Sequence, residues 1–185
     1  MLQLEALAEV VSVLERLGLP WMIVGSYAAS RYGDPRFTND IDIVVAYTAT
    51  DAGRIVQALG DGFYASEEML VEGLQRGTMS NVIHLQTMVK LDLCPPRDTE
   101  YDRVSLARRL RDEFDGVCVW VQTPEDTILS KLLWARESLS ERQFRDIRGI
   151  LRTRSDLDWQ YLRQWAQRLG VAELLERTVD EANTG

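Results

Sequence analysis

A chain of 185 residues, 45% hydrophobic and 27% charged, has the composition of an ordinary globular protein, long enough for one domain with a real core or for a domain with a small helical appendage. Its formal net charge of −8 argues against broad non-specific binding to nucleic acid, which is driven by neutralising phosphates. No apolar run approaches the roughly 20 residues that span a bilayer, and the acidic start (Glu5, Glu9, Glu15) lacks the basic n-region of a signal peptide, so no membrane association and a cytoplasmic location are expected.

In chain order, Leu4, Leu7, Val11, Leu14 and Leu17 recur at helical spacing, and Gly18 and Pro20 end that helix. "WMIVGS" is a short apolar strand, and "SYAASRY" a short helix that begins directly after Gly25. A loop, "GDPRFTN", turns at Gly33 and Pro35 into the strand "DIDIVVAY", and "TDAGRIVQALG" is a helix closed by Gly60. "EEMLVEGLQRG" fits either a helix or an irregular excursion. "NVIHLQT" and "MVKLDLC" are two strands, the second stopped by Pro95 and Pro96; a helix is expected around "DRVSLARRLRDEF", then the strand "VCVWVQ". From Thr123 onward the pattern is helical in four segments, the first with Thr123 as N-cap, Pro124 at N1 and Asp126 at N3. The expected organisation is a mixed α/β part over residues 1–122 and a helical part over 123–185, joined without a flexible linker and packed together.

Neither cysteine, Cys94 or Cys118, has a nearby Cys or His partner, so both are expected to be buried free thiols rather than zinc ligands or a disulfide. The single histidine, His84, is expected to be packed or hydrogen-bonded, which disfavours a mechanism resting on a His base. Only Lys90 and Lys131 among the 21 basic residues are lysines, which singles out those two positions.

The strand "DIDIVV" poses a problem of charge. Alternation directs Asp40 and Asp42 to one face and Ile41 and Ile43 to the other. Two like charges a few ångströms apart repel, and a divalent cation held by oxygen ligands resolves the repulsion. The plainer alternative is a solvated strand end. The neighbouring features decide between them. A strand ends at Gly25-Ser26 and a helix starts at once, so free backbone N–H groups and the Ser26 hydroxyl are available to phosphate oxygens. A third carboxylate, Asp92, lies in the strand "VKLDL". Three carboxylates with a phosphate cradle suit two Mg²⁺ ions, with Mn²⁺ as an alternative, for in-line attack on a nucleotide phosphate.

"VGS", "DIDI" and "LDL" in this order resemble the nucleotidyltransferase superfamily typified by the palm of DNA polymerase β. Within it the sequence is similar to the AbiEii/AbiGii type of toxin nucleotidyltransferases: "RYGDPRFTNDID" carries Tyr32, Gly33, Arg36 and Thr38 before the paired acids, and "PEDTILSKLLWARESLSERQFRDIRGIL" carries Glu125, Lys131, Arg136, Arg145 and Asp146. Val24 and Gly149 depart from that pattern, which often has a glycine and an aspartate there. The resemblance implies an α/β (α+β) fold, a small mixed-sheet palm flanked by helices and followed by a C-terminal helical bundle. It further implies transfer of NMP from an NTP to a hydroxyl acceptor: an RNA or tRNA end, a protein, or a small molecule. Asp40, Asp42 and Asp92 would bind metal, Gly25, Ser26, Arg36 and Thr38 the nucleotide, and Lys131 and Asp146 the triphosphate and the back of the site, with an antitoxin protein as partner.

Plainer roles stand beside these. Lys131 fits an exposed helix lysine, Asp146 a surface ion pair with Arg145 or Arg148, and Arg36 a loop contact; Trp159 and Trp165 fit core packing. Lys131, Arg136, Arg142, Arg145, Arg148, Arg152 and Arg154 are seven basic residues against Glu137, Glu141 and Asp146, a local +4 (7 − 3), read either as a solvated helix face or as a surface receiving a polyanion. Two rival functions are an antibiotic-modifying nucleotidyltransferase acting on an aminoglycoside or lincosamide, and a nucleotide-binding partner protein without turnover.

Overall fold

The computed structural model describes all residues except Met1, Arg36, Phe37, Asn39, Leu139 and Gly185, and all of the described side chains except Leu2 and Glu137. The elements in chain order are α1 (Leu2–Arg16), β1 (Trp21–Ile23), α2 (Gly25–Tyr32), β2 (Asp40–Val45), α3 (Ala49–Leu59), β3 (Phe63–Tyr64), α4 (Glu67–Arg76), β4 (Ser80–His84) and β5 (Val89–Cys94). They continue with α5 (Glu100–Arg108), β6 (Leu110–Phe114), β7 (Val117–Val121), α6 (Pro124–Ser138), α7 (Glu141–Thr153), α8 (Trp159–Arg168) and α9 (Ala172–Thr184). Two compact units are distinguished, one formed by Met1–Val24 and Thr38–Val121, the other by Gly25–Phe37 and Gln122–Gly185.

The first unit is built on a mixed sheet in the order β3-β4-β5-β2-β1-β7-β6. β2 runs parallel to β5 and β1 parallel to β7, while the other neighbours are antiparallel. Ile41, Ile43, Val45, Leu91, Leu93 and Val82 are fully buried at the centre of the sheet, and the core continues into Leu7, Val10 and Leu14 of α1. α1 packs on β5, β7 and α3, and α4 on α3 and β4. The amphipathic spacing read in α1 is thus the spacing of its buried face.

α4 resolves the ambiguous stretch: Ser66 accepts the Met69 N–H at 3.2 Å as its N-cap, and Gly77 closes it in the left-handed region. The short strand β3 ahead of it pairs Phe63 with His84, and two residues are too few to leave a periodic signature.

Two expectations are corrected. The helix expected through "DRVSLARRLRDEF" stops at Arg108, and Leu110–Phe114 is the edge strand β6, joined to β7 by a two-residue turn. Asp115 and Gly116 both have positive φ, 45° and 87°, the Asp-Gly chemistry of a tight hairpin, and this turn overrides the helical propensity of the Arg-rich run. Cys118, expected to be buried, is exposed, because the alternation of β7 turns Val119 and Val121 inward and Cys118 outward, opposite Glu113. Cys94 is half-buried, and burial, helped by the charges of Asp42 and Asp92, pushes its thiol up to about 12. His84 is buried as expected, with Nδ1 2.7 Å from Thr87 Oγ1.

In the second unit α6 packs against α2, α7, α8 and α9, α7 also against α2 and α9, and α8 against α9. The capping read at Thr123 is present: Thr123 Oγ1 accepts the Asp126 N–H at 3.1 Å and donates to Asp126 Oδ2 at 2.8 Å. Trp165 is buried, in line with core packing, and Trp159 is half-buried beneath the Arg163 guanidinium.

Candidate active site

The parallel pairing of β2 with β5 sets Asp40 level with Lys90 and Asp42 level with Asp92. The antiparallel pairing of β4 with β5 sets Asn81 level with Asp92. Because side chains alternate across a sheet, Asp40, Asp42, Lys90, Asp92 and Asn81 share one face, and Ile41, Ile43, Leu91 and Val82 share the other. The apolar pattern that buries one face therefore aligns the polar residues on the opposite one. Asp40 is exposed and Asp42 half-buried, while Asp92 is 3% exposed. Both Asp92 oxygens are engaged: Lys90 Nζ lies 3.0 Å from Oδ2, and Asn81 Nδ2 donates to Oδ1 at 2.5 Å. The hydrogen bond to Asp92, reinforced by the charges of Asp40 and Asp42, raises the Lys90 pKa above its ordinary value. As placed, no three of the described His, Cys, Asp and Glu side chains converge as a metal-binding group. The donors on this face are hard carboxylate oxygens in a negative field, the set that suits Mg²⁺ or Mn²⁺ over a soft metal.

The backbone at the entrance to this face is tied down. The Val24 N–H donates to the Asp42 carbonyl at 2.9 Å, continuing the antiparallel pairing of β1 with β2. The next residue, Gly25, has a φ of 66°, in the left-handed region that a side chain disfavours, and α2 begins there. The turn by itself thus favours glycine. Thr38 Oγ1 donates to the Asp40 carbonyl at 3.2 Å, and the Thr38 carbonyl accepts from Gln3 at 2.8 Å. Arg36 lies outside the described residues.

In the second unit Lys131 and Asp146 form a buried ion pair. Lys131 Nζ is 2.8 Å from Asp146 Oδ2, with both side chains 6% exposed, and a further bond of 3.1 Å runs to Gln143 Oε1. The exposed helix lysine and the surface ion pair with arginines are both replaced by this arrangement. α6 and α7 pack on each other across a short connection, which brings positions so far apart in sequence onto facing surfaces. Breaking such a pair by removing one partner leaves an uncompensated buried charge, at a cost of about 3–5 kcal/mol.

Other residues of the same segment serve the helices around this pair. Glu125 accepts the Asp158 N–H at 2.9 Å at the start of α8, and Asp126, fully buried, accepts from Tyr161 Oη at 2.7 Å. Arg136 donates to the Leu169 carbonyl at 2.9 Å beyond the end of α8. Gly149 sits in close quarters: a Cβ there would stand 3.0 Å from Asp34 Oδ2 and 3.1 Å from the Asp34 N, so a larger side chain requires Asp34 to shift by a few tenths of an ångström. Arg152 reaches the same Asp34 carboxylate at 3.0 Å. Of the seven basic residues between Lys131 and Arg154, five (Lys131, Arg136, Arg148, Arg152, Arg154) are engaged internally, and Arg142 and Arg145 are exposed. Asn81 and Gln143 were not singled out in the sequence; each completes the coordination of an ionic pair and is legible only once strand register or helix facing is known.

Residues 13–184 match the family described as "Nucleotidyl transferase AbiEii toxin, Type IV TA system". The chain belongs to this family. It is a nucleotidyltransferase, and its fold is that of the polymerase-β-like superfamily. An antigenic nucleotidyltransferase-like protein from Paracoccidioides brasiliensis is 19% identical with a TM-score of 0.59, over 96% of this chain and 92% of that one. A nucleotidyltransferase-type structure from Thermotoga maritima is 16% identical with a TM-score of 0.52, over 75% of this chain and 88% of that one. At these identities the likeness is one of fold. No curated protein matches the chain. Among the described residues no helix is long and apolar enough to cross a membrane.

Proposed function

We propose that the protein is a divalent-metal-dependent enzyme that transfers NMP from an NTP to the hydroxyl of an RNA end, releasing pyrophosphate, and that it acts as the toxin of a toxin–antitoxin pair whose antitoxin is a separate protein. The observation that carries the metal-dependent chemistry is the alignment of Asp42 with Asp92 across two parallel strands, with Asp40 two residues ahead on the same face. Family membership supports the nucleotidyl transfer and the toxin role.

Asp40, Asp42 and Asp92 would hold Mg²⁺, or Mn²⁺ in its place. Bound there, the cations would polarise the transferred phosphoryl group and neutralise charge on the leaving pyrophosphate. Asp92 accepts the proton of the attacking hydroxyl. Gly25 and Ser26 hold the β- and γ-phosphates through the N–H groups that begin α2 and through the Ser26 hydroxyl, at the positive end of the helix dipole. Thr38 steadies the entrance to β2 from its bond to the Asp40 carbonyl, and Arg36 contributes a phosphate contact. Lys131 is assigned to the triphosphate, and Asp146 and Gln143 hold its ammonium in one orientation.

The test is incubation of the purified protein with each NTP labelled at the α-phosphate, Mg²⁺ and total cellular RNA, beside the Asp40→Ala/Asp42→Ala variant. Label on RNA with the intact protein alone supports the reading. Label absent from RNA but present on a co-purified protein or an aminoglycoside transfers the proposal to that acceptor; absence of Mg²⁺-dependent NTP binding refutes the role of the aspartates.

A further inference from the structure

One residue of the polar sheet face is a base. Lys90 stands level with Asp40 on β2, and its ammonium contacts Asp92 two residues ahead on its own strand. Asp92 is nearly inaccessible to water, so its charge cannot be solvated and must be balanced by protein groups. Asn81 and Lys90 do this from opposite sides, one on each oxygen. They differ in how firmly they are held. Asn81 projects from a paired position of β4 on a short side chain, whereas the Lys90 side chain is 37% exposed on a long flexible stem.

We propose that Lys90 is a resident counter-cation of the carboxylate face, which balances Asp92 in the metal-free protein and yields Asp92 Oδ2 to an arriving divalent cation, while Asn81 fixes the other oxygen throughout. This rests on the metal reading of Asp40, Asp42 and Asp92 given above. Lys90 is a positioning residue in this account, acting through Asp92. The exchange is favourable because an arriving divalent cation restores the balancing charge that buried Asp92 needs, and the freed ammonium reaches water by rotating about its stem. Lysine suits the exchange better than arginine, whose planar fork grips a carboxylate in two places and is not readily released. A resident cation also limits affinity for the metal, since binding must displace it.

The consequence distinguishes this role from simple support of the strand. A support residue, when removed, weakens the fold and the metal site together; a counter-cation, when removed, weakens the metal-free fold and strengthens metal binding. The experiment is Mn²⁺ titration followed by electron paramagnetic resonance, with thermal unfolding in EDTA and in saturating Mn²⁺, on the full chain and on Lys90→Met, Lys90→Arg and Asn81→Ala. Lys90→Met is expected to bind Mn²⁺ about fivefold more tightly or better, with a lower Tm in EDTA and a gap that closes in Mn²⁺. Lys90→Arg should keep the EDTA Tm and bind Mn²⁺ more weakly, and it decides the matter alone if Lys90→Met does not fold. Asn81→Ala should weaken Mn²⁺ binding by about tenfold, as loss of an orienting partner does. Equal or weaker Mn²⁺ binding by Lys90→Met, or unchanged binding by a folded Lys90→Arg, overturns the proposal while leaving the metal reading intact. Failure of the unaltered protein to bind Mn²⁺ overturns both.

Discussion

The chain has two lysines, and each is set against an aspartate in a different setting. Lys90 meets Asp92 at 3.0 Å with its side chain 37% exposed, and Lys131 meets Asp146 at 2.8 Å with 6% of either side chain exposed. One pair lies within a single strand of the sheet unit; the other bridges two helices of the helical unit. The difference teaches that an ion pair can be arranged to part or to stay. Partial exposure gives the Lys90 ammonium a route to water, while burial makes the Lys131 ammonium dependent on Asp146 and Gln143.

Substitutions can break this contrast or sharpen it. The largest effect is expected at the acids beside the exposed lysine: Asp40→Ala/Asp42→Ala should lower nucleotidyl transfer by about 10³-fold or more without unfolding the protein, read in a labelled-NTP assay alongside circular dichroism. Next comes the buried pair. Lys131→Met should cost about 3–5 kcal/mol in urea unfolding, and Lys131→Met/Asp146→Leu should recover most of that stability without recovering activity, because replacing both charges removes the desolvation penalty. If the single and double variants unfold alike, the burial argument fails.

A smaller effect belongs to the exposed lysine. Lys90→Met in EDTA should lose less than Lys131→Met by the same urea measurement, because Asn81 still holds the Asp92 carboxylate and the lost ammonium was partly solvated, and an equal loss would erase the contrast. The smallest perturbation probes the sheet alone, by thiol labelling at pH 8. Cys94, pushed to about 12 by its surroundings, stays protonated and unreactive there, while the exposed Cys118 is alkylated. Mass spectrometry after brief treatment with iodoacetamide should find one modification, at Cys118; modification at Cys94 in the folded protein would contradict its burial.

The site was unevenly legible. Asp40 and Asp42 announce themselves, because two acids inside an apolar alternation are costly without a reason, and alternation alone assigns their face. Glycine at 25 follows from a strand that must become a helix within one residue. The hairpin of β6 and β7 was legible in principle, since Asp115-Gly116 is a strong turn signal, but the Arg-rich run before it carried helical propensity and masked it. Lys131 and Asp146 could be named by resemblance, yet their burial could not be, because adjacent Leu132 and Leu133 fit an exposed lysine as well as a buried one.

By itself the sequence determined the order of elements in the sheet unit around the acids, the helical character of everything after Thr123, and which carboxylates stand on a common strand face. These depend on periodicity and on local turn and cap chemistry, which act over a few residues. Only the tertiary structure decided that Asp42 aligns with Asp92, that Asn81 closes the second oxygen of Asp92, and that Lys131 is tied to Asp146 and Gln143. Register between strands distant in sequence and the facing of two helices are set by how the whole apolar surface packs, and no single segment carries that information.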